Sequence, residues 1–235
     1  MLLEHLHRLN TARDARLAAV TITPLDTGEA RLFLEGELHD PAIAPAIESA
    51  LRTGKSGIVE IGGQAAFVNV YLPPPRIVVI GAVHISQALA GMADTAGFDL
   101  SIIDPRSAFA TAERFGKTKL LAEWPEEALQ HTPLDAYTAL VAVTHDPKID
   151  DFPLAKALEA GCFYVGALGS RKTHAGRVER LAKLGVNESA IARIHAPIGL
   201  DIHASSPAEI AVAILAEIIQ TLRTRDVLAG RGAAA

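Results

Sequence analysis

Ten polar side chains stand just beyond short apolar runs: His84, Asp104, Arg106, Thr144, His145, Asp146, Ser170, Arg171, Lys172 and His195. If those runs are parallel strands of one open sheet, the fold gathers all ten at the edge formed by the strands' carboxyl ends. Ligands bind at that edge, near the point where strand order reverses. Arg106, Arg171 and Lys172 give it local positive charge in a chain whose formal net charge is −5. The ligand class this selects is an anion, most simply a phosphate. Gly169-Ser170-Arg171, running into a helix, offers backbone N–H groups, a hydroxyl and a guanidinium to such a group; the alternative is that Ser170 only caps the helix. Asp104 either accepts from a ribose-like diol or caps the turn after it. His145-Asp146 is an acid–base pair, a pair of metal ligands, or plain turn chemistry. His84 and His195 precede helix or turn starts and contact either ligand or backbone. No Ser-His-Asp order and no HExxH spacing stands out, so no catalytic or metal-ligating set is assigned. Cys162 follows Gly161 and enters an apolar run, which predicts a buried, inert thiol.

The elements that must position these residues begin at Arg76. Arg76–Ile80 is short, β-branched and nearly all apolar, as a central strand buried on both faces is. Gly81 turns the chain, Ile85–Ala96 reads as a helix with Leu89 and Met92 on one face, and Gly97 stops it. Leu100–Ile103 is a second buried strand that ends in Asp104. Strand, glycine turn, helix, strand and terminal acid make the first βαβ of a dinucleotide-binding fold. Of the G-x-G-x-x-G pattern only Gly81 is present, and Val83 stands where a glycine lets backbone approach a pyrophosphate. The reading is a Rossmann-like, doubly wound parallel sheet in which Val83 disfavours NAD or NADP.

Further strands are expected at Lys119–Ala122, Leu140–Thr144 and Phe163–Ala167, with helices over Ser107–Phe115, Asp150–Ala160 and from Gly169-Ser170-Arg171-Lys172 to near Gly185. A last helix opens on a capping box, with Ser206 at the N-cap, Pro207 at N1 and Glu209 at N3. Residues 1–73 follow a different grammar, that of a small α+β module. Leu17–Leu25 and Ala30–Glu35 are strands joined at Asp26-Thr27-Gly28. Pro41–Arg52 is a helix capped by Asp40, and Ile58–Ile61 with Ala65–Leu72 forms a hairpin through Gly62-Gly63. The run Pro73–Pro75 separates this module from the Rossmann-like domain, expected over 74–228, and 229–235 are expected to be disordered.

At 235 residues with 49% hydrophobic composition the chain is long enough for a core of this size. Its acidic balance carries no nucleic-acid footprint. The single cysteine excludes an internal disulfide and a cysteine-based zinc cage. No apolar run reaches the roughly 18 residues of a spanning helix, and the first ten residues lack a signal core. A cytoplasmic setting, without membrane or nucleic-acid partners, is expected.

Five separated stretches, "VIGAVHISQALA", "IDPRSAFATAERF", "THDPKIDD", "YVGALGSRKTH" and "IHAPIGLDIHASSPAEIAVAILAEII", resemble, in order, the XdhC/CoxI family of xanthine dehydrogenase accessory factors. The resemblance covers about Arg76 to Ile219. It implies a chaperone that binds the molybdopterin form of the molybdenum cofactor, shields it, and assists its sulfuration and insertion into an apo-molybdoenzyme of the xanthine dehydrogenase or carbon monoxide dehydrogenase type. A cysteine desulfurase is a further partner it implies, and a homodimer a candidate assembly. Within the resemblance, Gly81, His84, Asp104, Arg106, Thr144, His145, Asp146, Gly169, Ser170, Arg171 and His195 are the candidate cofactor-binding residues. The chain departs from the family at Val83 and His203, where many members have glycine, and its N-terminal module lacks a "GSxPR"-like and a "GGCLE"-like segment. An NAD(P)-dependent oxidoreductase and a cofactor-free adaptor are the alternatives.

Overall fold

The computed structural model describes residues 3–37 and 39–224, and the tail expected over 229–235 lies outside them. Between Pro74 and Pro75 the chain divides into two compact units. The first opens with α1 (Leu3–Asp14), followed by β1 (Ala19–Pro24), β2 (Arg31–Leu34), α2 (Ala44–Thr53), β3 (Gly57–Ile61) and β4 (Gln64–Tyr71). The four strands form an antiparallel sheet in the order β2-β1-β4-β3, with α2 packed on β1 and β4. Alternation in β4 turns Ala66 and Val68 inward. The β3–β4 turn needs Gly62 and Gly63, because both have positive φ, 59° and 81°, as a two-residue turn of this hand demands. Sequence patterning missed α1, which buries only Ala12 and so carries no apolar stripe. Regular helix in α2 begins three residues after Pro41, although Asp40 caps the preceding turn by accepting from the Ala42 amide at 2.9 Å.

The second unit runs β5 (Arg76–Ile80), α3 (His84–Thr95), β6 (Asp99–Ile103), α4 (Ala112–Phe115), β7 (Lys119–Leu121), α5 (Pro125–His131), β8 (Thr138–Ala142), α6 (Pro147–Glu159), β9 (Tyr164–Ala167), α7 (Arg171–Lys183), α8 (Glu188–Ile191), β10 (Ile194–His195) and α9 (Pro207–Thr224). Its six strands are all parallel, in the order β10-β9-β8-β5-β6-β7. The chain steps outward from β5 to β7, then crosses back to β8 on the other side of β5. The strand order therefore reverses between β5 and β8.

Both faces of this sheet are covered, which is why its strands read as continuous apolar runs. Ile77 and Val79 point to the face of α3 and α9, with Leu89, Ile214 and Ile218. Val78 and Ile80 point to the other face, with Leu154, Leu181 and Ile191. Each such fully buried aliphatic side chain contributes about 1.5–3 kcal/mol. The capping box of α9 forms as read: Glu209 N donates to Ser206 Oγ at 3.2 Å and Glu209 accepts from the Ser206 amide at 3.0 Å. The helix expected over Ser107–Phe115 is reduced to α4, because Thr111 takes an extended conformation and interrupts it. Cys162 is fully buried, and burial pushes its thiol up to about 12, as an inert position requires.

Candidate functional site

The turns after β5, β6, β8 and β9 lie side by side at the carboxyl edge of the sheet, so the sequence candidates on them come together as expected. Neighbouring strands are about 4.8 Å apart, which puts the turns after β6 and β9 roughly 15 Å from each other. At the reversal point the turns after β5 and β8 touch. A Cβ built on Gly81, whose φ is +118°, would stand 2.8 Å from Thr144 Cγ2 and 3.3 Å from Thr144 N. Gly81 is therefore a position of close approach. Val83 has an ordinary extended backbone (φ −107°) and a half-buried side chain packed against the core below α3.

Asp104 is fully buried and entirely engaged. One oxygen accepts from the Ala82 amide at 2.7 Å and from Arg106 Nη2 at 2.8 Å; the other accepts from Arg106 N and Nε, both at 2.9 Å. Burial alone would raise its pKa, but the Arg106 and backbone hydrogen bonds outweigh it and hold the carboxyl below its usual range. Of the two roles open to Asp104, the structure adopts the turn cap, and no lone pair is left facing a diol. Arg106 stacks on Phe109, 4.9 Å from the ring centroid, and its charge is matched by Asp104. The local positive charge expected of three residues thus falls to Arg171 and Lys172. Both are exposed at the start of α7, and neither has an ion-pair partner among the described residues.

Three helices point their positive ends at this edge. Asp146 caps α6 by accepting from the Lys148 amide at 3.0 Å, and Ser170 caps α7 by accepting from the Thr173 amide at 3.2 Å. Helix α3 has no side-chain cap: its N-cap is Val83, and His84, its first residue, is exposed. The amides of its first turn are the uncapped donors at the reversal point. His145, exposed at φ +65°, contributes its backbone N–H to Asp150 at 3.1 Å, and Thr144 Oγ1 donates to Asp150 at 2.7 Å. Thr144, His145 and Asp146 thus build a turn. Among the described residues no group of three or more His, Cys, Asp or Glu is placed to hold a metal ion.

His195 lies at the end of β10, its ring stacked on Tyr164 at 4.6 Å and its Nδ1 3.0 Å from Glu217. Glu217 also accepts from Tyr164 Oη at 2.6 Å and from the Gly199 amide at 2.8 Å. Burial works to raise its pKa, but the His195 and Tyr164 bonds prevail and lower it; burial, then the Glu217 charge, raise Tyr164 and keep it a donor. The carboxylate fixes the orientation of the ring through Nδ1. Glu217→Gln is expected to cost about 1–3 kcal/mol, since an amide cannot accept all three bonds. The depressed carboxyl contributes fully above its ordinary value of 4.5 and loses that contribution as pH falls through the lowered folded value. Urea melts of both proteins should therefore converge toward acid.

Asp150 and Glu217, which bind candidate residues directly, and the buried Arg177 were not singled out by pattern reading. The available signal was a charged residue on a helix face otherwise apolar, as with Arg177 and Leu181 one turn apart on the buried side of α7.

A doubly wound parallel domain with polar turns gathered at its reversal point defines a Rossmann-type domain, and its uncapped helix end, with two cations that have no ion-pair partner among the described residues, suits an anionic group. The chain belongs to the XdhC family: the family's XdhC Rossmann domain accounts for residues 77–218. It is 33% identical over 156 residues to a probable xanthine dehydrogenase subunit from Bacillus subtilis strain 168, covering 66% of this chain and 45% of that protein. It is 30% identical over 148 residues to the molybdenum cofactor insertion chaperone PaoD of Escherichia coli K12, covering 63% and 40%. An uncharacterized E. coli K12 protein, YqeB, is 33% identical over 171 residues, covering 68% and 29%. The chain thus spans less than half the length of each of these relatives. A crystal structure described as a xanthine dehydrogenase from Bacillus halodurans has a TM-score of 0.64 and 24% identity, covering 96% of this chain and 66% of that one; the likeness is one of fold. No helix among the described residues is long and apolar enough to cross a membrane.

Proposed function

We propose that this protein is a chaperone of the molybdenum cofactor, which it binds at the carboxyl edge of the β5–β8 reversal point and delivers to an apo-molybdoenzyme of the xanthine dehydrogenase type. The observation that carries this reading is the uncapped first turn of α3 at that edge, with Arg171 and Lys172 unpaired across it. Backbone N–H groups and the helix dipole favour the phosphate of a pterin ligand there, and the two cations supply the opposite charge. The relative named as a molybdenum cofactor insertion chaperone supports the assignment of ligand and role. Both recognition elements of a dinucleotide site are diverted: a valine replaces the second glycine, and Asp104 is consumed by Arg106.

The test is chemical. Protein purified gently from a molybdenum-replete host and then oxidised is expected to release a fluorescent pterin in about one-to-one proportion, while added NADH keeps its free fluorescence. Replacing Arg171 and Lys172 together by alanine should weaken cofactor binding about tenfold, and more at low salt, because exposed charges are worth little each and are screened. Recovery of no pterin, native or after incubation with cofactor, would overturn the reading; tight NADH binding would favour an oxidoreductase.

A further inference from the structure

The interface between α6 and α7 encloses a guanidinium that the protein leaves largely unpaired. Arg177 is 2% exposed, yet its Nε and Nη1 have no hydrogen-bond partner. Its Nη2 donates to the Leu168 carbonyl at 2.9 Å, which fixes the guanidinium beneath the turn after β9. His174 Nδ1, one turn earlier on α7, is buried and unpartnered as well. Beneath the adjacent turn lies Asp150, also 2% exposed, bound to Thr144 Oγ1 and the His145 amide. It forms no ion pair with Arg177, and the next acid, Asp151, is taken by Arg180 at 2.5 Å. A buried cation with two empty donors, close to an acid it does not touch, is costly to the fold. Water could fill the donors, but Asp150 and the already paired Asp151 would then act on the charge only across a distance.

We propose that Arg177 is the receptor of an internal oxyanion site between the turns after β8 and β9. The site takes a tetrahedral anion of the phosphate type, as a free ion or as the phosphoryl end of a larger ligand; only the second source rests on the cofactor reading. The charges acting on it are Asp150 and Asp151 from α6 and Arg180 from α7, with the imidazoles of His174 on α7 and His145 on the turn above. Asp151 and Arg180 cancel each other. Burial raises Asp150 to about 6 against the opposing pull of its Thr144 bond and of Arg177. Below that pH it is neutral and offers an O–H to the anion; above it, its charge opposes entry. Burial and then the Arg177 charge hold the His174 imidazole below its usual range, so the proton that accompanies anion uptake is assigned to Asp150.

Inorganic sulfate, whose charge is constant across this range, is the probe. Calorimetric titration of the full chain should show affinity roughly ten- to thirtyfold higher at pH 5.5 than at pH 7.5, the ratio expected when one group near pH 6 must be protonated. Asp150→Asn should flatten that dependence. Arg177→Met should abolish the pH-dependent sulfate binding, while Lys183→Ala, at the exposed far end of the same helix, should retain it. The reverse pattern, or no sulfate binding by the unaltered protein, overturns the proposal. Should Arg177→Met fail to fold, the Nε–H resonance of Arg177 in the unaltered protein decides: a shift on adding sulfate supports the site, and an unmoved resonance refutes it. In cofactor-loaded protein, loss of that shift identifies the cofactor's phosphoryl end as the occupant, and its persistence identifies a free ion. A protein that yields pterin but whose Arg177 ignores sulfate keeps the chaperone role and loses this site.

Discussion

Replacing Asp104 by alanine is expected to destabilise the Rossmann-type unit by about 2–4 kcal/mol, somewhat less than the roughly 3–5 typical of a fully buried pair. The discount arises because the Arg106 side chain is 35% exposed and can recover water when its partner is lost. The Ala82 amide cannot recover it so readily, since Ala82 is fully buried. The loss falls at the carboxyl edge of the sheet, because the same carboxylate ties the turn after β5 to the turn after β6. Asp104→Asn should recover part of the stability, as an amide oxygen can still accept from Ala82 while its NH₂ faces the Arg106 donors. The pH dependence has a definite sign. The folded-state carboxyl titrates below its ordinary 3.8, so its contribution is complete at neutral pH and disappears as pH falls through the depressed value. Urea denaturation at pH 7 and pH 3 checks both statements: the gap between wild type and Asp104→Ala should narrow at pH 3, and an equal gap at both would show that the ion pair is not what holds the turns.

Gly81→Ala is expected to cost about 2–6 kcal/mol, combining roughly one to three for a side chain forced to φ +118° with a similar amount for overpacking. The nearest obstacle is the Thr144 methyl at 2.8 Å, which gives the prediction a specific rescue. Thr144→Ser removes that methyl and keeps the hydroxyl that donates to Asp150. It should cost little alone and restore part of the loss when combined with Gly81→Ala. The remaining deficit reflects the backbone conformation and the approach to Thr144 N at 3.3 Å, which serine does not relieve. A double-mutant cycle by chemical denaturation measures the coupling, and simple additivity would show that the two turns are not in the contact described.

The architecture was legible in the residues because its signals are local. Arg76–Ile80 is β-branched and apolar without alternation, which only a strand covered on both faces tolerates, and Ile77 and Val78 do face opposite cores. The capping box at Ser206–Glu209 and the glycine pair at 62–63 act within four residues of chain, so they formed as read. The five ordered motifs likewise pointed to the family to which the chain belongs. Position at the edge followed from the strand ends alone, which is why the turns carrying His84, Asp104, Thr144 and Ser170 were found together there. What each side chain does at that edge was settled by contacts distant in sequence. Asp104 is withdrawn from any ligand by the Ala82 amide, 22 residues before it, as well as by the neighbouring Arg106. His195 is oriented by Glu217 on another element, 22 residues on. Arg177 has the composition of a surface helix residue, and the packing of α7 on α6 is what buries it with its donors empty. Periodicity reports which face of an element is covered, but the pairing of a buried charge depends on which atoms the fold brings within about 3 Å, and that is a property of the assembled layers.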